Sequence, residues 1–180
     1  RDAIEQGELG WCGGGPPLSI CLDLMSFNQA EAALRDAHHN TAEWTGKPPI
    51  VFDRFSGGTP SDLTPTLVRL GYRGLIPLDF AAGSGFGDEA KVFIRGGGAE
   101  IEALTVKPID AASESAFVAL GAQLGQAVDS GEIATALIAH WPGKGSTAYD
   151  DLRRVASWSL ALGRFWSLPE YFVEGEHPYH

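Results

Sequence analysis

Residues 48–80 read PPIVFDRFSGGTPSDLTPTLVRLGYRGLIPLDF. A short apolar run, PIVF, ends in Asp53; a glycine loop and a helical stretch follow; a second apolar run, GLIPL, ends in Asp79. Strand, helix and strand in alternation specify parallel strands covered by helices, joined by right-handed crossovers. The alternation also sorts the polar residues. In such a sheet, ligands bind beyond the carboxyl ends of the strands, so a polar residue that closes an apolar run faces the loops where chemistry is done.

The neighbouring segments extend the pattern. ELGWCGG (8–14) reads as a strand running into its loop, while PPLSICLDLM (16–25) is ambiguous. Phe27, Ala30, Leu34, Ala37, Thr41 and Trp44 recur at steps of three and four, the stripe of an amphipathic helix that Gly46 and Pro48 stop. A second helix is expected over 61–71, capped by Thr64, opened by Pro65 and closed by Gly71. Pro77 assigns the GLIPL strand to an edge or bulge.

KVFIRGGGAEIEALTV (91–106) alternates apolar residues on both sides of its glycines and reads as a β-hairpin inserted on the loop side. Helical periodicity returns with Phe117, Leu120, Leu124 and Ala127. ATALIAHWPG (134–143) reads as a buried strand with its loop, 147–163 as a helix, and FWSLPEYF (165–172) as the closing segment. The whole is an α/β fold of parallel strands with an inserted β-hairpin. Residues 1–172 read as one domain and 173–180 as a polar tail. The opening RDAIEQGELGW resembles the tail of a helix closed by Gly7, as in a piece of a longer chain.

Charge narrows the partners. The formal net charge of −10 opposes nucleic acid, whose phosphates need a basic surface. No run approaches the ~18 apolar residues of a membrane span, and the chain reads as soluble, with the cytoplasm favoured. Cys12 and Cys21 fit neither a metal knuckle nor a redox pair, and read as small buried hydrophobes.

Asp53 has the position of a nucleophile, an acid/base group or a metal ligand, or of a loop cap paired with Arg54. Asp79 has the same strand-end position or anchors the next loop. His140, at the end of ATALIA and before Trp141, suits a metal ligand, a proton shuttle or a sugar hydrogen-bond donor beside a stacking ring, or a structural imidazole. His38 and His39 point about 100° apart on a helix and read as a solvated face. HWPGKGST (140–147) lacks the phosphate-loop spacing, and GSGFG (83–87) does not open a helix.

In order along the chain, GWCGG, PIVFDRFSGG, LTPTLVRLGYRGLI, KVFIRGGGAEIEAL, ALIAHWPG and LGRFWSLPEYF resemble the catalytic barrel shared by family 38 glycoside hydrolases (α-mannosidases), family 57 glycoside hydrolases and polysaccharide deacetylases. The resemblance is nearest to the mannosidases. Asp53, Phe55, Gly57, Pro65, Leu70, Gly71 and Tyr72 follow their pattern, as does the run Phe93 to Gly96; His140 is similar to the strand-end His of the deacetylases.

The resemblance implies the C-terminal part of a (β/α)7 barrel acting on a carbohydrate by retaining hydrolysis. It makes Asp53 the nucleophile and a zinc contact, Asp79 or an outside carboxylate the acid/base, and His140 a metal or substrate ligand. Trp141, Phe86 and Arg54 would bind substrate. The chain has no His-x-Asp zinc motif, so zinc is expected only where that motif lies upstream, and the rest of a parent chain would complete the barrel. A metal-dependent deacetylase and a silent sugar-binding or scaffold domain are the alternatives.

Overall fold

Helix α1 spans Asp2–Glu5 and helix α2 Phe27–Thr45. The start of α2 is set by Ser26, whose backbone N–H donates to Gln29 Oε1 at 3.1 Å. Gly46, in the left-handed conformation, ends it. The buried stripe is Ala30, Leu34 and Thr45, with His38 and Thr41 half-buried between. This corrects the expected stripe at both ends: Phe27 and Trp44 are exposed, because the face that meets the sheet passes through Thr45.

In the computed structural model the described residues are 2–6, 9–16, 21–54, 59, 61–77, 90–130, 134–140, 145, 151, 154, 156–158 and 163–175. They divide into two compact units, 1–105 with 166–180, and 106–165.

The first unit is built on a four-stranded sheet. Strand β1 is Val51–Asp53, helix α3 Thr64–Arg69, strand β2 Gly74–Ile76, and the hairpin strands β3 and β4 are Lys91–Gly96 and Ala99–Leu104. Their order is β1-β2-β4-β3, with β1, β2 and β4 parallel and β3 antiparallel to β4. The hairpin forms where the alternation predicts it, and β4 joins the sheet beside β2, so it extends the sheet instead of standing on the loops. Strand β2 is therefore central, and Pro77 lies just past its last paired residue, where no ladder N–H is missed.

A single turn of 3-10 helix, Ser61–Leu63, leads into α3, so Thr64 is inside the helix rather than its cap. The far end follows the expectation closely. Gly71 has φ +92°, its N–H donates to Val68 O and the Tyr72 N–H donates to Leu67 O. That pair of bonds is the Schellman ending, and it turns Tyr72 back toward the sheet.

Strand alternation gives the sheet two faces. Phe52, Leu75, Ile101 and Ala103 form one core with Leu34, Leu63, Leu67 and Tyr72. Val51, Asp53, Gly74, Ile76, Glu102 and Leu104 alternate to the other face. There helix α5 (Leu168–Glu174; α4 belongs to the second unit) packs with its Phe172 ring so close to Gly74 that a Cβ would sit 2.3 Å from it. Lys91 Nζ pairs with Glu102 at 2.7 Å, both side chains nearly buried, and lies 4.7 Å from the Tyr171 ring centre. Helix α5 starts with a reciprocal cap between Ser167 and Glu170, and Val173 and Glu174 complete it.

The second unit pairs β5 (Ile109–Asp110) with β6 (Ile138–Ala139) in parallel, against helix α4 (Ala116–Ser130). The expected stripe of α4 holds, with Phe117, Leu120, Leu124 and Ala127 half-buried. The ATALIA strand is shorter and less buried than expected, because β6 has one paired neighbour among the described residues. Most of the helix expected over 147–163 lies outside the described residues; Asp151, Arg154 and Ala156 are helical.

Candidate active site

Asp53 is the last residue of β1, paired in register with Ile76 of β2. Val51 and Phe52 are fully buried and hold the strand in the sheet, which fixes where the carboxyl emerges. The wall beside it comes from 9–16, the segment expected to be a strand. No strand forms there among the described residues, because the chain makes single anchoring bonds instead of a ladder. The Gly13 N–H donates to Val51 O at 2.9 Å, and the Tyr72 hydroxyl donates to Gly13 O at 3.0 Å. Glycine is required at the next position: Gly14 has φ +81°, and a Cβ there would stand 2.0 Å from the Tyr72 hydroxyl.

Cys12 in this segment lies near enough for its thiol to feel the Asp53 charge. Burial pushes Asp53 up to about 6, against the opposing pull of the Arg54 backbone hydrogen bond. Its Oδ1 is buried and has no hydrogen-bond partner among the described residues. The Cys12 thiol is pushed up to about 12, mainly by burial and then by the negative charge of Asp53. Tyr72 is raised by burial as well. Burial thus favours the neutral forms of Asp53, Cys12 and Tyr72.

Sequence reasoning missed Cys12 as a neighbour of Asp53, and Tyr72 and His38 as the groups that anchor its segment near Pro49. His38 packs edge-on to Tyr72, 5.1 Å between ring centres, and burial lowers its pKa against a backbone hydrogen bond to Pro49. It is half-buried rather than solvated, while His39 is exposed and pairs with Glu43. The signal for the wall was the glycine run after Trp11, which allows the chain to come within hydrogen-bond reach of a tyrosine. Cys21, expected to be buried, is exposed.

Of the other candidate residues, Arg54 is buried beside Asp53, with Gly15 against its side chain. His140 is exposed and belongs to the second unit. Asp79, Phe86 and Trp141 lie outside the described residues. Among the described residues no group of three or more His, Cys, Asp or Glu is placed to hold a metal ion. No helix among the described residues is long and apolar enough to cross a membrane.

No family model matches the sequence, and no curated protein does. Among solved structures, the chain is similar to 4-α-glucanotransferase from Thermococcus litoralis, with a TM-score of 0.57 and 14% identity over 96% of this chain. The fold is that of part of a barrel. The match spans 28% of the glucanotransferase chain, and among the described residues the sheet of the first unit ends at β1 and β3.

Proposed function

We propose that this chain is part of a carbohydrate-active, glycoside-hydrolase-type barrel in which Asp53 carries the reacting carboxyl. The observation that supports it is the state of that one group: strand-end and half-buried, with a buried oxygen free of partners among the described residues and a pKa raised to about 6. Strongly perturbed carboxyls at strand ends mark sites of proton transfer. The likeness to a 4-α-glucanotransferase, whose name is that of a glycosyl-transferring enzyme, agrees with the substrate class.

The surroundings favour Asp53 as the acid/base of retaining hydrolysis. Its carboxyl would give its proton to the glycosidic oxygen as the bond to the anomeric carbon breaks, while a second carboxylate takes that carbon. Asp53, now ionised, would then take a proton from the water that releases the sugar. The second carboxylate is Asp79 or a residue outside this chain.

The resemblance to α-mannosidases supports a second reading, in which Asp53 is itself the nucleophile and a carboxylate elsewhere protonates the leaving group. Its pKa of about 6 leaves it ionised at higher pH, as that role requires. Neither reading routes a step through a metal.

The test is Asp53→Asn in the full-length protein, assayed on unactivated oligosaccharides. Turnover falls by a factor of at least about a hundred while circular dichroism stays native. Turnover equal to that of the parent would remove Asp53 from the chemistry.

A further inference from the structure

Asp36, Asn40 and Trp44 follow one another at steps of four along α2, so they share one strip of its surface. All three are exposed, and Trp44 leaves 64% of its surface in water. The Trp11 ring meets the Trp44 ring with 4.7 Å between centres and 64° between planes, and is itself 36% exposed. Leu9, two residues before Trp11, is 51% exposed. Two indoles held in a corner, with the amide of Asn40 one turn away, form a mixed surface, apolar and hydrogen-bonding within one strip.

That mixture selects the ligand. A purely apolar partner would strip water from Asn40 without replacing its hydrogen bonds. A nucleotide would stack as well, but its phosphates would meet the exposed Glu43 and a chain of net charge −10. A sugar ring offers an apolar C–H face to an indole and hydroxyls to the amide one turn away on the same helix.

We infer that Trp44 and Trp11, with Asn40 one turn along α2, form a stacking site for a neutral oligosaccharide. The class of ligand rests on the proposed carbohydrate reading; the site itself stands on the geometry of α2 and Trp11. The site would hold a glycan chain against the protein without taking part in bond cleavage.

The full-length protein is titrated with maltohexaose, mannohexaose and chitohexaose, followed by indole fluorescence and amide NMR. At least one of them shifts the Trp11 and Trp44 signals. Trp44→Ala weakens that binding about tenfold or more, Asn40→Ala weakens it, and Trp44→Phe recovers part of the loss. Hydrolysis of a small aryl glycoside by Trp44→Ala equals that of the parent.

Binding of the hexasaccharides unchanged in Trp44→Ala overturns the inference, as does the absence of binding by the parent or burial of the indole pair in a protein contact. If Asp53→Asn still abolishes turnover in those cases, the proposed function stands without this site. If Trp44→Ala loses binding while Asp53→Asn keeps full turnover, the stacking site stands and the catalytic reading falls.

Discussion

The Tyr72 hydroxyl donates to the Gly13 carbonyl at 3.0 Å, across 59 residues of sequence. This bond ties the exit of α3 to the glycine segment beside Cys12. Tyr72 is almost fully buried, so its loss leaves the carbonyl without that donor in a dry place. Tyr72→Phe is expected to cost about 1 to 2 kcal/mol of stability, read by urea denaturation. A change within error of zero would mean that water or a shift of the segment replaces the bond.

Asp53 also makes stability depend on pH. Its carboxyl holds a proton up to about pH 6 in the fold, against an ordinary value of 3.8. Between those values the folded chain binds more protons than the unfolded chain, so this group's contribution to stability falls as pH rises and is lost above pH 6. Asp53→Asn removes the ionisation. The variant should exceed the parent by about 2 kcal/mol near pH 7.5, with the difference shrinking toward pH 4. Denaturation at the two pH values measures it; an equal difference at both would place the carboxyl in contact with water.

Lys91 and Glu102 are nearly buried and 2.7 Å apart under the rings of Tyr171 and Phe172. Removing one charge strands the other in a poor solvent. Lys91→Met is expected to destabilise by about 3 kcal/mol, and adding Glu102→Gln should recover more than half of that. A double-mutant cycle reads the coupling; additive losses would show that the two charges are solvated independently.

Much of the sheet was legible because its signals are local. The runs PIVF and GLI, the alternation about the 95–98 turn and Gly71 each depend on near neighbours, and β1, β2, the hairpin and the end of α3 follow. The strand-end position of Asp53 was legible for the same reason. What was missed depends on distant partners. Residues 9–16 look like a strand, but single bonds to Val51 and Tyr72 take the place of a ladder. Pro77 argued for an edge, yet β4 closes on β2 before reaching it. The stripe of α2 named Trp44 where the sheet takes Thr45, since periodicity alone does not say which flank of a helix faces the core. Ser167, Pro169 and Glu170 carried a helix start that was read only as a closing segment. The raised pKa of Asp53 was invisible because it comes from burial by residues far away in the chain.

The role of Asp53 is tested most directly by replacing it with glycine and supplying azide to the full-length protein with a dinitrophenyl glycoside, whose leaving group needs no proton. As the acid/base, Asp53→Gly forms the glycosyl-enzyme at a rate near that of the parent, and azide speeds its breakdown to a glycosyl azide of retained configuration. A glycosyl azide of inverted configuration would make Asp53 the nucleophile, and unimpaired turnover of unactivated substrates by the glycine variant would contradict the account altogether.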